Sequence, residues 1–293
     1  MSDNPYWSDD DPQRFESRSD PLVTDTFSRW WDATLGVLGR SWRSMGIILL
    51  IGVAIPAFIL NLISTFSIDR RSTYDFGDAM SGNAPEVDPG SASGLGLLGL
   101  VTLFLFAGSA MAAHRTAAAE AAGGFTTTSE ALRGAFRKCW KLWLWMILGS
   151  VCVTVGFVLL VIPGLLVSFG LALMIPVATF QKRANPFGES FRLTFGDFGP
   201  ALGRLVIAVL VYLVITCVLG IFTGFLSELF LSFAPVAVAN VLIVVLSALY
   251  AVVSLIPTMW MLAAVLTTYA SARGKREPVS AASLSAEAAE TVA

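Results

Sequence analysis

Residues 142–181 read LWLWMILGSVCVTVGFVLLVIPGLLVSFGLALMIPVATFQ and contain no charged side chain. One straight helix of that length would measure ~60 Å, about twice the hydrocarbon thickness of a bilayer. The run must therefore supply two membrane spans, and Pro163-Gly164 near its middle predicts the turn between them. This pair of apolar spans indicates an integral membrane protein.

The composition of the whole chain agrees with that interpretation. Of the 293 residues, 55% are hydrophobic and only 14% are charged, whereas an average soluble domain carries about 25% charged residues. The net charge of −2 leaves no basic excess that would hold a nucleic acid. Three cysteines are too few for a disulfide framework or a cysteine-based zinc site. These values exclude a disordered chain, a nucleic-acid binder and an ordinary soluble enzyme.

Further uncharged runs predict four more spans, so the predicted fold class is an all-α integral membrane bundle of six transmembrane helices with cytoplasmic amphipathic interfacial helices. The last run, 229–272, is interpreted as one span kinked near Pro257; a span followed by an interfacial helix is the alternative. The membrane domain is predicted at 21–273, between a disordered acidic tail at 1–20 and a second disordered tail at 274–293. The spans are expected at about 44–68, 95–113, 142–162, 164–181, 205–223 and 235–265.

Basic residues set the predicted orientation. With six spans, 17 of the 19 Lys and Arg residues fall on one side, and only Arg70 and Arg71 fall on the other. Lys and Arg in short connections favour the cytoplasm. Both termini are therefore expected in the cytoplasm, in a multi-pass protein of the cytoplasmic (inner) cell membrane.

Three stretches with helical periodicity precede pairs of spans, starting near Phe27, Thr127 and Asn185. Such amphipathic helices lie in the plane of the membrane and contact lipid, or they fix the ends of the spans. Tryptophans cluster at the same junctions, as in an aromatic belt. The interfacial candidates are Trp30, Trp31, Trp42, Phe136, Trp140, Trp143, Phe187 and Phe191.

Two pairs of small residues at i and i+4 are candidates for close helix packing. They are Gly108 with Ala112 in the second span, and Gly220 with Gly224 in the fifth. Small residues let helix backbones approach each other. The pairs are expected to pack within the bundle, and a dimer face is the alternative.

The sequence offers no pattern typical of catalysis or energised transport. His114 is the single histidine and is expected at headgroup level, and the predicted spans hold almost no ionisable side chain. Hydrolysis needs a nucleophile with a base, or a metal with its ligands. The chain is therefore predicted not to be an enzyme, and no metal or cofactor is expected.

Three short motifs carry a resemblance to a known group. They are Leu160-Val-Ile-Pro-Gly164, Met174-Ile-Pro-Val177 and Glu189-Ser-Phe-Arg-Leu-Thr194. With them the chain resembles the membrane domain of bacterial glycerophosphodiester phosphodiesterases and the YciC-like inner-membrane proteins. Gln181 departs from the pattern, because an acidic residue often closes that span in the group. No phosphodiesterase catalytic domain is expected within these residues, so the resemblance implies a helical scaffold in the membrane and not a reaction.

The function expected from these observations is that of a non-catalytic membrane protein, a scaffold or a lipid-organising protein. The alternative is a passive channel or transporter for a neutral or lipid-like substrate. Expected partners are membrane lipids and a membrane protein or a second copy of the chain, and no nucleic acid.

Overall fold

A computed structural model of the chain describes residues 20–67, 89–182 and 184–290, so the predicted tail at 1–20, Asp20 apart, lies outside it. All regular secondary structure in the described residues is helical. A π-helical turn, Leu50–Ala54, joins the first two helices. The helices are α1 Phe27–Leu49, α2 Ile55–Ser67, α3 Pro89–Ala121, α4 Thr128–Phe136, α5 Cys139–Leu159, α6 Val161–Leu171, α7 Met174–Phe180, α8 Pro186–Gly196, α9 Phe198–Phe233, α10 Val236–Val253, α11 Leu255–Gly274 and α12 Ala281–Glu290.

Six candidate spans are long and apolar enough to cross a membrane, which confirms the predicted fold class of an all-α membrane bundle. The described part of the chain contains no β-strand. Helices suit a bilayer because every backbone polar group is satisfied within the segment. The spans are Phe27–Ile63, Gly96–Ala121, Cys139–Leu159, Val161–Phe180, Phe198–Phe233 and Ala237–Gly274.

Helix α11 forms the centre of the bundle. Sixteen of its 20 residues are buried, and it packs against α1, α3 and α9. Small side chains such as Ala263, Ala264 and Ala270 are fully buried along it. They bring neighbouring backbones close, which is the usual basis of helix association in lipid.

Buried side chains concentrate at one end of the bundle, which we name the charged end. Residues 20–26 and α12 lie there, and α1, α5 and α9 begin there. The buried residues of α9, for example, all fall between Ala201 and Ala208. At the opposite end, Val158 and Ile162 are 80% and 70% exposed. In a bilayer such apolar surface contacts acyl chains and not water, so its exposure is not costly.

The turn between the third and fourth spans lies three residues before the predicted Pro163-Gly164. Helix α5 ends at Leu159, Leu160 is extended, and α6 starts at Val161. Pro163 occupies the first turn of α6, where its missing N–H leaves no hydrogen bond unmade. Gly164 serves close packing instead, because a Cβ there would lie 2.5 Å from the Phe157 Cγ.

The last candidate span is a single unit with a break at Ser254. Pro257 follows three residues later, in the first turn of α11. A proline has no N–H to donate and its ring clashes with the carbonyl four residues earlier, here that of Val253. This accounts for the end of α10 at Val253.

The prediction of a disordered tail at 274–293 was wrong for residues 281–290. These residues form α12, which packs against α3 and α7. Its inner face carries Ala281, Leu284 and Ala288, all buried. The Asp20 carboxylate accepts a hydrogen bond from the Ala281 N–H at 2.7 Å and so caps the helix. One leucine among alanines is too weak a pattern to predict docking.

Candidate functional site at the charged end

Arg273 is the centre of an ionic network that joins three segments at the charged end. Its Nη1 and Nη2 donate to the two carboxylate oxygens of Glu287 at 2.6 and 2.8 Å. Its Nε also binds Glu277, and its Nη1 donates to the Tyr269 hydroxyl at 3.0 Å. Paired hydrogen bonds between a guanidinium and a carboxylate are strong and directional. The network therefore fixes α12 to the end of α11.

Tyr269 extends this network to the end of the fourth span. Its side chain is fully buried, and its ring stacks on Phe180 with the centroids 5.8 Å apart. Its hydroxyl also accepts a hydrogen bond from Gln181 Nε2 at 3.3 Å. The Gln181 amide is therefore a neutral partner of this tyrosine.

A cavity of about 550 Å³ opens beside Arg273. The charges around it are largely paired, for example Arg192 with Glu189 at 2.7 Å. The ten described residues that line it include no serine, threonine, cysteine or histidine, so its chemistry suits binding of polar groups. The lining residues are Phe180, Gln181, Lys182, Ala184, Glu189, Arg192, Arg273, Glu277, Glu287 and Glu290.

A buried row of polar contacts joins α1 to α11. The Trp30 Nε1 donates to Thr268 Oγ1 at 3.0 Å, and the hydroxyls of Thr34 and Thr267 lie 2.9 Å apart. Such contacts between membrane helices are worth about 0.6 kcal/mol on average. Their role is to fix the register of the two helices.

Trp30 was predicted at the lipid interface, and the structure places it in the interior instead. It is fully buried, and its ring lies 6.4 Å from that of Trp260. The prediction failed because α1 runs unbroken from Phe27 through the junction into the span. Its aromatic face therefore packs on α11 and not on lipid. Trp31 is half-buried, with its ring 4.9 Å from Trp260.

Trp42 and Trp140 are exposed, at 53% and 51%, as the interfacial interpretation expects. Each carries a basic neighbour over its ring, Arg43 at 5.2 Å and Lys141 at 5.8 Å. An indole beside a cation suits the boundary between headgroups and hydrocarbon.

Phe136 and Trp143 are half-buried and share one neighbour, Phe104 of α3. The ring of Phe104 lies 5.9 Å from that of Phe136 and 6.0 Å from that of Trp143. The Trp143 Nε1 donates to the Leu100 carbonyl at 3.0 Å. These two side chains therefore help to hold α4 and α5 on α3.

Phe187 and Phe191 belong to a row of stacked rings that we name the phenylalanine ladder: Phe187, Phe191, Phe195 and Phe198. Successive ring centroids lie 5.3, 5.7 and 5.9 Å apart, with nearly parallel planes. Asn185 caps the start of α8, and Pro186 begins it. Phe187, Phe191 and Phe195 follow at intervals of four on one face of α8, and Phe198 is the first residue of α9. Phe195 and Phe198 are 41% and 44% exposed. The ladder presents an aromatic surface at the charged end.

The two small-residue pairs differ. Gly108 and Ala112 are buried, and a Cβ at Gly108 would lie 2.7 Å from the Phe136 ring. The expected packing of Gly220 and Gly224 within the bundle was wrong, because a Cβ at either would meet nothing within 4 Å. Both lie in the outer half of α9, where the chain has few neighbours.

His114 is fully buried within the bundle. Its Nε2 lies 3.1 Å from the Leu262 carbonyl, so Nε2 carries the proton and donates. Glu130, in contrast, is exposed and caps α4, where it accepts a hydrogen bond from the Thr127 hydroxyl at 2.7 Å. His114 and Glu130 therefore lie in different parts of the fold. Among the described residues, no three His, Cys, Asp or Glu side chains form a group that could hold a metal.

The Arg273 network was not predicted, although Arg273, Glu277 and Glu287 are visible in the sequence. The spacing of Arg273 and Glu277 is that of an ion pair on one helical face. The pairing with Glu287 depends on the docking of α12, which the sequence pattern does not indicate. Comparisons of the chain with protein-family models, with characterised proteins and with solved structures find no match.

Proposed function

We propose that this chain is a non-catalytic, multi-pass protein of the cytoplasmic membrane that organises lipid at the cytoplasmic surface. In this proposal the charged end faces the cytoplasm, since it carries most of the basic residues. Lipid is the proposed partner. Retention of a membrane protein on the same surface is a second outcome that the experiment below would detect. The likeness to phosphodiesterase membrane domains and YciC-like proteins remains a prediction from short motifs.

The observation that carries the proposal is the phenylalanine ladder. Amphipathic helix α8 holds its aromatic face at the charged end, where Phe195 and Phe198 remain exposed. In this proposal the ladder lies at the boundary between headgroups and acyl chains, a region that aromatic side chains favour. The ladder is backed by α6, whose Phe169 ring lies 5.5 Å from both Phe195 and Phe198. A rigid aromatic surface of this kind can order the lipids that lie against it.

The test compares two double variants of equal size. Phe195→Ala with Phe198→Ala removes two exposed rings of the ladder. Phe222→Ala with Phe225→Ala removes two rings that are 57% and 65% exposed in the outer half of α9. Native mass spectrometry in mild detergent counts the lipids and proteins that stay bound. We expect retained lipid in the unaltered protein and in the outer variant, and a loss in the ladder variant. Equal retention in all three would contradict the proposal.

A passive pathway is a second candidate, favoured by one observation. Four buried polar atoms in α1, α3 and α11 have no hydrogen-bond partner: Ser41 Oγ, Ser109 Oγ, His114 Nδ1 and Trp260 Nε1. Buried polar atoms of this kind are commonly satisfied by water. Release of a neutral solute from vesicles containing the protein tests this candidate. A rate equal to that of protein-free vesicles would exclude it.

A further inference from the structure

Five basic residues lie at the places where three spans reach the charged end. We name them the basic cluster: Arg115, Arg137, Lys138, Lys141 and Lys182. Arg115 lies near the end of α3, Lys138 and Lys141 flank the start of α5, and Lys182 follows the end of α7. Helices α5 and α7 both pack against α3. The cluster therefore lies near the ends of three candidate spans.

The charges of the cluster act on one another. Partial burial lowers the pKa of Lys138, and so do Lys182, Arg137, Arg115 and Lys141, in that order. No carboxylate contributes to Lys138 in the opposite direction. Like charges held together cost free energy unless an anion lies among them. The four neighbouring cations therefore repel Lys138.

Arg115 gives the cluster a specific feature. Its Nε and Nη1 are buried and have no hydrogen-bond partner. Glu120 lies five residues further along α3, which places the Arg115 and Glu120 side chains about 140° apart around the helix. The Glu120 Oε2 also has no hydrogen-bond partner. Buried guanidinium donors normally bind a carboxylate or a phosphate. The ion pairs found among the described residues involve other cations, namely Arg29, Arg192, Arg273 and Lys275.

Aromatic side chains complete the surroundings of the cluster. Trp140 is half exposed with the Lys141 ammonium 5.8 Å from its ring. Among the described residues, the Lys182 ammonium donates a hydrogen bond to the backbone oxygen of Glu290, at 3.4 Å. A tryptophan and unpaired cations at the ends of spans are the surroundings in which anionic lipid headgroups bind.

We infer that the basic cluster is a binding site for the phosphate of an anionic phospholipid in the adjoining leaflet. Arg115 would bind the phosphate oxygens directly, and the lysines would supply the surrounding positive field. This inference rests on the proposed lipid-organising function and names the class of lipid. A phospholipid is favoured over a free phosphate because the cluster lies at the ends of spans, where acyl chains can lie along α3 and α5.

The experiment measures competition between two lipids on the purified full-length protein. Phosphatidylglycerol and phosphatidylcholine with identical acyl chains are added together in mild detergent, and native mass spectrometry counts each bound lipid. The test variant is Lys138→Gln with Lys141→Gln. The control is Arg40→Gln with Arg43→Gln, which removes the same charge from α1, where Arg43 likewise lies over an exposed tryptophan. Arg115→Gln tests the direct contact.

We expect the unaltered protein to retain phosphatidylglycerol preferentially. Two neutralised lysines should weaken that binding by about thirtyfold, while the control changes it by less than about threefold. Arg115→Gln should also weaken it, with the melting temperature of every variant measured as a check on folding. Inorganic phosphate should not displace the lipid; full displacement would mean a free-anion site and overturn the inference.

Two further outcomes separate this inference from the proposed function. If both lipids are retained without preference, or the control loses as much binding as the lysine variant, the inference is wrong and lipid organisation stands. If neither lipid is retained, the inference and the proposed function both fail.

Discussion

Glu287 holds Arg273 through two parallel hydrogen bonds, of 2.6 and 2.8 Å, between a helix outside the spans and the last turn of a span. Both side chains are largely withdrawn from water, at 31% and 10% exposure. This pair, together with the Asp20 cap, turns a terminal segment into part of the bundle. The contact also forms one wall of the cavity at the charged end.

Glu287→Gln should loosen α12 without unfolding the spans. The change replaces a charged pair by a neutral contact, and hydrogen bonds to charged groups contribute about 1.5–3 kcal/mol each. Amide hydrogen exchange should therefore rise across 281–290 and stay constant in α11. Glu290→Gln is the matched control, because Glu290 is exposed and its contact with Lys182 uses the backbone oxygen. Equal exchange in the two variants would show that the Arg273 pair does not hold the helix.

The Trp30–Thr268 hydrogen bond should be measurable in a double-mutant cycle. Trp30→Phe keeps a buried ring but removes the donor, and Thr268→Val removes the acceptor. We expect each change to lower the free energy of unfolding by about 1 kcal/mol, with a coupling of about 0.6 kcal/mol. Trp31→Phe serves as the control outside this hydrogen bond. A coupling of zero would mean that the two residues do not interact in the membrane.

The two glycine positions should respond oppositely to the same substitution. Gly108→Ala should destabilise the protein by about 1–3 kcal/mol, because the new methyl group would press on the Phe136 ring. Gly220→Ala meets open space and should be neutral or slightly stabilising, since alanine favours helix. Thermal unfolding in detergent compares them, and a double variant of Gly108→Ala with Phe136→Leu should recover part of the loss. Equal destabilisation at both positions would contradict the packing described for α3 and α4.

The basic cluster predicts a pH dependence of known sign. The pKa of Lys138 is lower in the folded chain than its ordinary 10.5, so the unfolded chain binds more protons between the two values. Stability linked to Lys138 should therefore rise with pH across that window. In lipid-free detergent, the difference in stability between Lys138→Gln and the unaltered protein should shrink as the pH rises towards 10.5. A difference that grows with pH would mean that Lys138 is not repelled by its neighbours.

Six spans could be predicted from the sequence because they coincide with long uncharged runs, such as 142–181, which contains two of them. Interior positions were harder to predict, as Trp30 illustrates. A tryptophan at the start of a span suits the headgroup layer and a buried hydrogen bond equally well. Only the neighbour on another helix, Thr268, decides between the two. The turn between the third and fourth spans was misplaced by three residues for a similar reason. A proline fits both a turn between helices and the first turn of a helix.

The residues around the cavity show a second limit of prediction from the sequence. Arg273, Glu277 and Glu287 are individually plain in the sequence, but their meeting depends on the docking of α12 through Leu284 and two alanines. That contact surface is too small to stand out as a pattern. The basic cluster likewise joins residues from three stretches of chain, and only the packing of α5 and α7 on α3 places these stretches side by side.

The most direct test of the account is the lipid composition around the protein extracted from its own membrane in polymer nanodiscs, compared with the bulk membrane. We expect anionic phospholipid to be enriched around the unaltered protein. The enrichment should fall in Lys138→Gln with Lys141→Gln and persist in Arg40→Gln with Arg43→Gln. A lipid composition identical to that of the bulk membrane, with no protein extracted alongside, would contradict the proposed lipid organisation.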